Sequence, residues 1–178
     1  ANIRKFVVYL MSCNLAEIVA VGVAAVAAIP LPLLPLQILF LNVVTGVFPA
    51  LALGVGPGSG QVMRQSPRDP QSSVLDTRHT WALTAFSLLI AGVVLGAFLV
   101  ALGPLGLAED GSVTVGFLTL AFSQIWHVFN MRSAGTSLFK NDIVANPWVW
   151  GAIVLCIGLI VAASIVPGVS TVLSLAPI

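Results

Sequence analysis

Residues 6–29 read FVVYLMSCNLAEIVAVGVAAVAAI, an apolar run interrupted by one charged side chain, Glu17. The run exceeds the roughly 20 residues that a helix needs to cross a ~30 Å hydrocarbon layer. Its Ala, Val, Leu and Ile do not alternate with polar residues, which favours a helix over a barrel strand. Four further apolar stretches follow, at about Leu33–Val55, Trp81–Leu102, Val113–Met131 and Trp148–Val166. The fold expected is all-α, a polytopic transmembrane helix bundle of about five spans with a sixth truncated.

Composition agrees. The 178 residues carry seven Lys+Arg and six Asp+Glu, and mean hydropathy is +1.08. A 7% charged content, against roughly 25% in ordinary soluble domains, is too little to cover a soluble surface. Soluble enzyme and disordered chain are thereby excluded. A net charge of +1 without a Lys/Arg cluster also argues against a nucleic-acid partner; the partner expected is membrane lipid. Cys13 and Cys156 both sit inside apolar runs and read as small buried residues.

Pro30-Leu31-Pro32 leaves only a tight turn between the first two spans, which makes them an antiparallel hairpin. Arg4, Lys5, Arg64, Arg68, Arg78, Arg132 and Lys140 all fall on one side of an alternating five-span topology. The positive-inside rule makes that side, with the loops at about 56–80 and 132–147, cytoplasmic. The chain begins at Ala1 and ends soon after Pro167-Gly168. It is expected to be a single transmembrane domain, 1–178, of a longer protein. Heavy use of Ala, Val and Gly with short loops suggests a bacterial plasma membrane.

The polar residues inside the spans are the candidate site. Glu17 lies 12 residues beyond Lys5, about 18 Å along a helix, near mid-bilayer. A carboxylate there costs about 2.5 kcal/mol or more unless it is paired, protonated or bound to a cation. Asn14 is one turn earlier, where an interhelical hydrogen-bond pair is the alternative reading. The second span holds Gln37, Asn42 and Thr45, then Gly46 and Pro49. Pro49 removes the hydrogen bond to the carbonyl of residue 45 and Gly46 weakens the same turn, so a broken helix with freed carbonyls is expected. Such breaks recur in cation sites, although a simple proline kink would look the same in sequence. The fourth span carries Gln124, His127 and Asn130 at intervals of three, a polar stripe facing other helices. No second His or Cys stands at ligand spacing, which excludes a soft-metal site.

Several of these stretches resemble calcium-pump-like P-type ATPases. Tyr9-Leu10-Met11-Ser12-Cys13-Asn14-Leu15-Ala16-Glu17 is similar to the family's fifth membrane helix, which has an Asn and a Glu three apart as cation ligands. Leu41-Asn42-Val43-Val44-Thr45-Gly46-Val47-Phe48-Pro49-Ala50 resembles the sixth, Asn-Leu-Val-Thr-Asp-Gly-Leu-Pro-Ala. Met63 with Pro67-Arg68-Asp69-Pro70 resembles the loop that contacts the phosphorylation domain. Gln124, His127 and Asn130 fall where the calcium-pump eighth helix has Glu, Asn and Asn.

The resemblance implies the fifth to ninth membrane helices of an ion pump. It implies Asn14, Glu17, Asn42, Thr45 and Gln124 as ligands of a transported cation, calcium or another. Partners would be the first four membrane helices and the phosphorylation and actuator domains of the same parent chain, with Arg68 helping to couple them. Mg-ATP would bind only those other domains. The Asp-Lys-Thr-Gly phosphorylation motif is not in this sequence, so the chain alone is not expected to hydrolyse ATP. Two positions depart from the family: Gly46 replaces the sixth-helix Asp, and Gln124 replaces the eighth-helix Glu. Hard divalent ions favour several anionic oxygens, which leaves one divalent ion, a monovalent cation or a proton-coupled variant open. The rival class is a non-enzymatic helix bundle or a secondary-transporter segment.

Overall fold

The structure, a computed structural model, describes residues 2–56, 77–132, 136, 137, 139 and 141–176. Arg64, Arg68, Lys140 and the Met63/Pro67–Pro70 motif lie outside the described residues. Among the described residues there are helices and no strands. Five of the helical stretches are long and apolar enough to cross a membrane, Asn2–Val26, Pro35–Val55, His79–Leu102, Glu109–Met131 and Pro147–Ile165. The chain is an integral membrane protein.

The first span is one helix, α1 (Asn2–Val26). It ends in a left-handed residue, Ala28 at φ 53°, with Ile29 N–H donating back to the Ala24 carbonyl at 3.1 Å. The second span is composite: α2 (Pro35–Leu41), a π-helical turn (Asn42–Val47) and α3 (Phe48–Val55). Pro35 starts α2, and the Gln37 side-chain oxygen accepts from Leu34 N–H at 3.1 Å. The third span is α4 (Thr77–Leu102). The fourth is α5 (Glu109–His127), followed by a 3-10 turn (Val128–Met131). Glu109 and Asp110 occupy the first turn of α5, where the helix dipole favours negative charge. The fifth is α6 (Pro147–Ile165), with Asn146 as N-cap accepting from Trp148 N–H at 3.0 Å. A short α7 (Pro167–Val172) follows.

α1 packs against α4 and α3, α4 against α5, and α3 against α6. The fourth span is the most buried of the five. It is also the one richest in polar groups, and Ser112, Thr114, Gln124 and His127 all point inward. Where α5 passes the Pro30–Pro32 turn, Gly116 is required: a β-carbon there would stand 2.5 Å from the Pro32 carbonyl oxygen.

Contacts sort the two ends of the bundle. At one end Asn2 donates to the Gly56 carbonyl at 2.7 Å, Arg4 meets His79 at 3.5 Å, Lys5 pairs with Asp142, and Asn146 donates to the Ala52 carbonyl at 3.0 Å. This is the end with Arg4, Lys5 and Arg132, as the alternating topology requires. At the other end Gln37 donates to the Leu173 carbonyl and Ala176 N–H to Thr114 Oγ1, each at 2.9 Å. The segment after α6 therefore folds back over the second and fourth spans rather than leaving the bundle.

Candidate cation site

Glu17 lies just beyond the middle of α1 and is only 3% exposed. Its carboxylate accepts from Gln124 Nε2 at 2.8 Å, and the Asn42 carboxamide is within hydrogen-bonding reach of it. The Gln124 side-chain oxygen faces Thr45, whose hydroxyl has one hydrogen to share between that oxygen and the Leu41 carbonyl one turn back. Three spans thus meet at one carboxylate: α1 through Glu17, the π turn through Thr45 and Asn42, and α5 through Gln124. Asn14 sits one turn before Glu17 on an exposed part of α1, and Asn42 is half-buried. The site therefore lies at the edge of the described bundle and opens toward the side where Asn14 stands.

The expected break in the second span is instead a wide turn, Asn42–Val47. Pro49 has no N–H to offer. In an α-ladder that N–H would serve the carbonyl of residue 45, and in a π-ladder that of residue 44. Both carbonyls have side-chain donors. Tyr9 Oη donates to the Thr45 carbonyl at 2.5 Å, and it lies 3.2 Å from the Gln124 carbonyl. The Cys156 thiol donates to the Val44 carbonyl at 3.1 Å. Unwinding would leave more backbone groups without partners in a place with no water, so the chain keeps its ladder and widens it.

Sequence reasoning missed Tyr9 and Cys156 as parts of this arrangement. Tyr9 offered a signal: it is the one tyrosine in the chain, and a phenol inside an apolar run needs an acceptor. It also shares with Cys13, Ala16, Glu17, Ala20 and Ala24 the buried stripe of α1. Cys156 offered none, because a buried thiol ordinarily stands in for a small apolar side chain. Both cysteines are free and buried.

One turn beyond Gln124 on α5, His127 stacks on Tyr9 at 5.7 Å and meets the edge of Phe86 at 4.8 Å. Its Nδ1 faces Asn130 at 3.2 Å, and its Nε2 is buried without a partner. Asn130 itself is exposed. Among the described residues no three His, Cys, Asp or Glu side chains converge. The donors around Glu17 are carboxylate, amide and hydroxyl oxygens, which suit a hard cation held by oxygen. Gly46 is buried beside them, and a β-carbon there would meet Leu10 Cδ1 at 3.8 Å and the Leu41 carbonyl at 3.9 Å, ordinary contacts. Packing does not demand the glycine.

The chain is similar to calcium-transporting ATPases of Bacillus subtilis and Bacillus cereus. It is 37% identical to the first over 168 residues and 33% identical to the second over 167. These alignments cover 93% and 83% of this chain but 18% of each relative. It is also 43% identical to a P-type sodium-transporting ATPase of Plasmodium falciparum over 81 residues, 46% of this chain and 6% of that protein. The chain thus spans less than a fifth of the length of these relatives. The model of the family described as "Cation transporting ATPase, C-terminus" matches residues 30–178, and the chain belongs to that family.

Proposed function

We propose that this chain is the cation-transport membrane domain of an ATP-driven P-type pump. Asn14, Glu17, Asn42, Thr45 and Gln124 are its cation ligands, and Glu17 supplies the negative charge. The observation that carries this reading is the buried Glu17 carboxylate at mid-span, met by Gln124 and by the π turn of the second span. A carboxylate so placed is costly unless something offsets its charge, and proteins keep such groups for ions or protons. The rest of the pump, its first four membrane helices and its phosphorylation and actuator domains, belongs to the parent chain. Arg68 contributes to coupling with the phosphorylation domain. The basic end of the bundle is cytoplasmic, and the bacterial relatives support a bacterial plasma membrane.

Calcium is the first ion to test, because the Bacillus relatives carry that name. A monovalent cation is the second, on a specific observation. Glu17 is the one acidic side chain buried within the described spans, and Gly46 and Gln124 add no charge beside it. A single carboxylate balances one monovalent ion more closely than two calcium ions. The test is ATPase activity of the full-length pump titrated with Ca2+, Mn2+, Na+ and K+, for the unaltered protein and for Glu17→Gln. The half-saturating concentration of the stimulating ion is expected to rise at least tenfold in the variant. An unchanged cation dependence would sink the ligand assignment.

A further inference from the structure

Cys156 lies in the middle of α6, a helix that places Val149, Ala152, Ile153, Cys156, Ile160 and Ala163 against the core. Of these six only Cys156 has a side-chain hydrogen to donate. Its sulfur is fully buried and stands 3.1 Å from the Val44 carbonyl oxygen. That carbonyl belongs to the π turn, one residue from Thr45 and two from Asn42, both on the side that meets Glu17. It is also one of the two carbonyls that the missing N–H of Pro49 leaves to other donors.

We infer that Cys156 is a positioning residue of the cation site: its thiol, bonded to the Val44 carbonyl, fixes the π turn of the second span and so holds Thr45 and Asn42 toward Glu17. This rests on the cation-site reading proposed above. The argument for position rather than filling is directional. A thiol that merely filled space would be as well replaced by Ala or Val, and would have no reason to meet this particular oxygen. Tyr9 secures the next carbonyl from a different helix, α1. Two helices therefore grip successive peptide groups of one turn. With the α6 grip removed, the peptide between Val44 and Thr45 is free to turn, because its oxygen has lost a partner in a water-free interior. Thr45 Oγ1, attached to that peptide unit, then no longer rests at a fixed distance from Gln124 and Glu17. The cation should feel this as weaker binding, while the steps that limit turnover, carried by other parts of the pump, are left alone.

The test uses the full-length pump and the ion that stimulates it among Ca2+, Mn2+, Na+ and K+. Cation-dependent ATPase activity is titrated for the unaltered protein, Cys156→Ala, Cys156→Ser and Glu17→Gln. Cys156→Ala is expected to raise the half-saturating concentration about fivefold, the factor set by one net hydrogen bond, with the maximal rate within about twofold. Cys156→Ser keeps a donor and is expected to stay within about twofold of the unaltered protein on both measures. Where Cys156→Ala does not fold, Cys156→Val takes its place, about one methyl larger and with no donor. If the donor-less variant matches the unaltered protein, or if Ser and Ala shift the half-saturation equally, the inference is overturned. A shift in Glu17→Gln without one in Cys156→Ala overturns this inference alone. No shift in Glu17→Gln overturns the cation-site reading, and this inference falls with it.

Discussion

Replacing Tyr9 by Phe isolates one atom. The ring stays, so its stacking on His127 and its place in the core persist and no cavity opens. What goes is the hydroxyl that stands 2.5 Å from the Thr45 carbonyl and 3.2 Å from that of Gln124. Both acceptors are backbone groups of residues that face Glu17. The net value of an ordinary hydrogen bond is about 1 kcal/mol, but a buried acceptor left without a partner costs about 1–3 kcal/mol. Bonds between membrane helices average lower, about 0.6 kcal/mol, because the separated helices find other partners. Here Pro49 removes the most obvious substitute, so the higher range applies and about 1–2 kcal/mol is expected. If that loss falls on the geometry that binds the ion, it corresponds to a rise of roughly 5- to 30-fold in half-saturating cation. The assay is the cation titration of ATPase activity, run beside thermal stability of the detergent-solubilised pump with and without the ion. The ion is expected to stabilise the variant less than the unaltered protein. Tyr9→Phe behaving like the unaltered protein in both measurements would refute the reasoning, since it would mean that the Thr45 carbonyl does not depend on the phenol.

Other substitutions test the frame rather than the site. Gly116→Ala puts a β-carbon 2.5 Å from the Pro32 carbonyl, a clash of backbone with backbone, and is expected to cost about 1–3 kcal/mol of stability, read as a lower midpoint of thermal inactivation. Ala28→Gly relieves a left-handed residue at the end of α1, φ 53°, and is expected to stabilise by about 1 kcal/mol with cation affinity unchanged; a lower midpoint would contradict the assignment of that cap.

The spans were legible because bilayer thickness sets their length and the apolar runs meet it almost residue for residue. Pro30-Leu31-Pro32 gave the hairpin, and the placement of Arg4, Lys5 and Arg132 anticipated which helix ends meet. Glu17, Thr45 and Gln124 were legible as buried polar residues that face other helices because polar side chains stand out against an apolar background. The form of the second span was less so. Gly46 and Pro49 announced a disturbance, but whether the chain breaks or widens depends on donors from elsewhere. Tyr9 is 36 residues from its acceptor and Cys156 is 112 from its own. The fold-back after α6 was hidden for the same reason: Gln37 read as one more polar residue of a span, and its partner, the Leu173 carbonyl, is a backbone atom 136 residues away. Periodicity reports which face of a helix is buried, and it carries no information about which distant group completes a hydrogen bond.

The widened turn also fixes the angular phase of everything after it. A π turn holds one more residue than an α turn, and each residue of an α-helix advances about 100°. α2 and α3 are therefore set at a relative rotation that an uninterrupted helix could not give. With that rotation, Gln37 and Leu41 face inward before the turn and Pro49, Ala50, Ala52 and Leu53 after it. Closing the turn into a regular α-ladder with all its residues kept would swing the buried side of α3 by about 100° toward lipid, taking the Ala52 carbonyl away from Asn146, whereas deleting one residue between Asn42 and Val47 would let the same ladder form with that side still facing inward. The six-residue turn is in this sense a spacer whose length is counted in degrees: it takes up one residue without turning the helix beyond it.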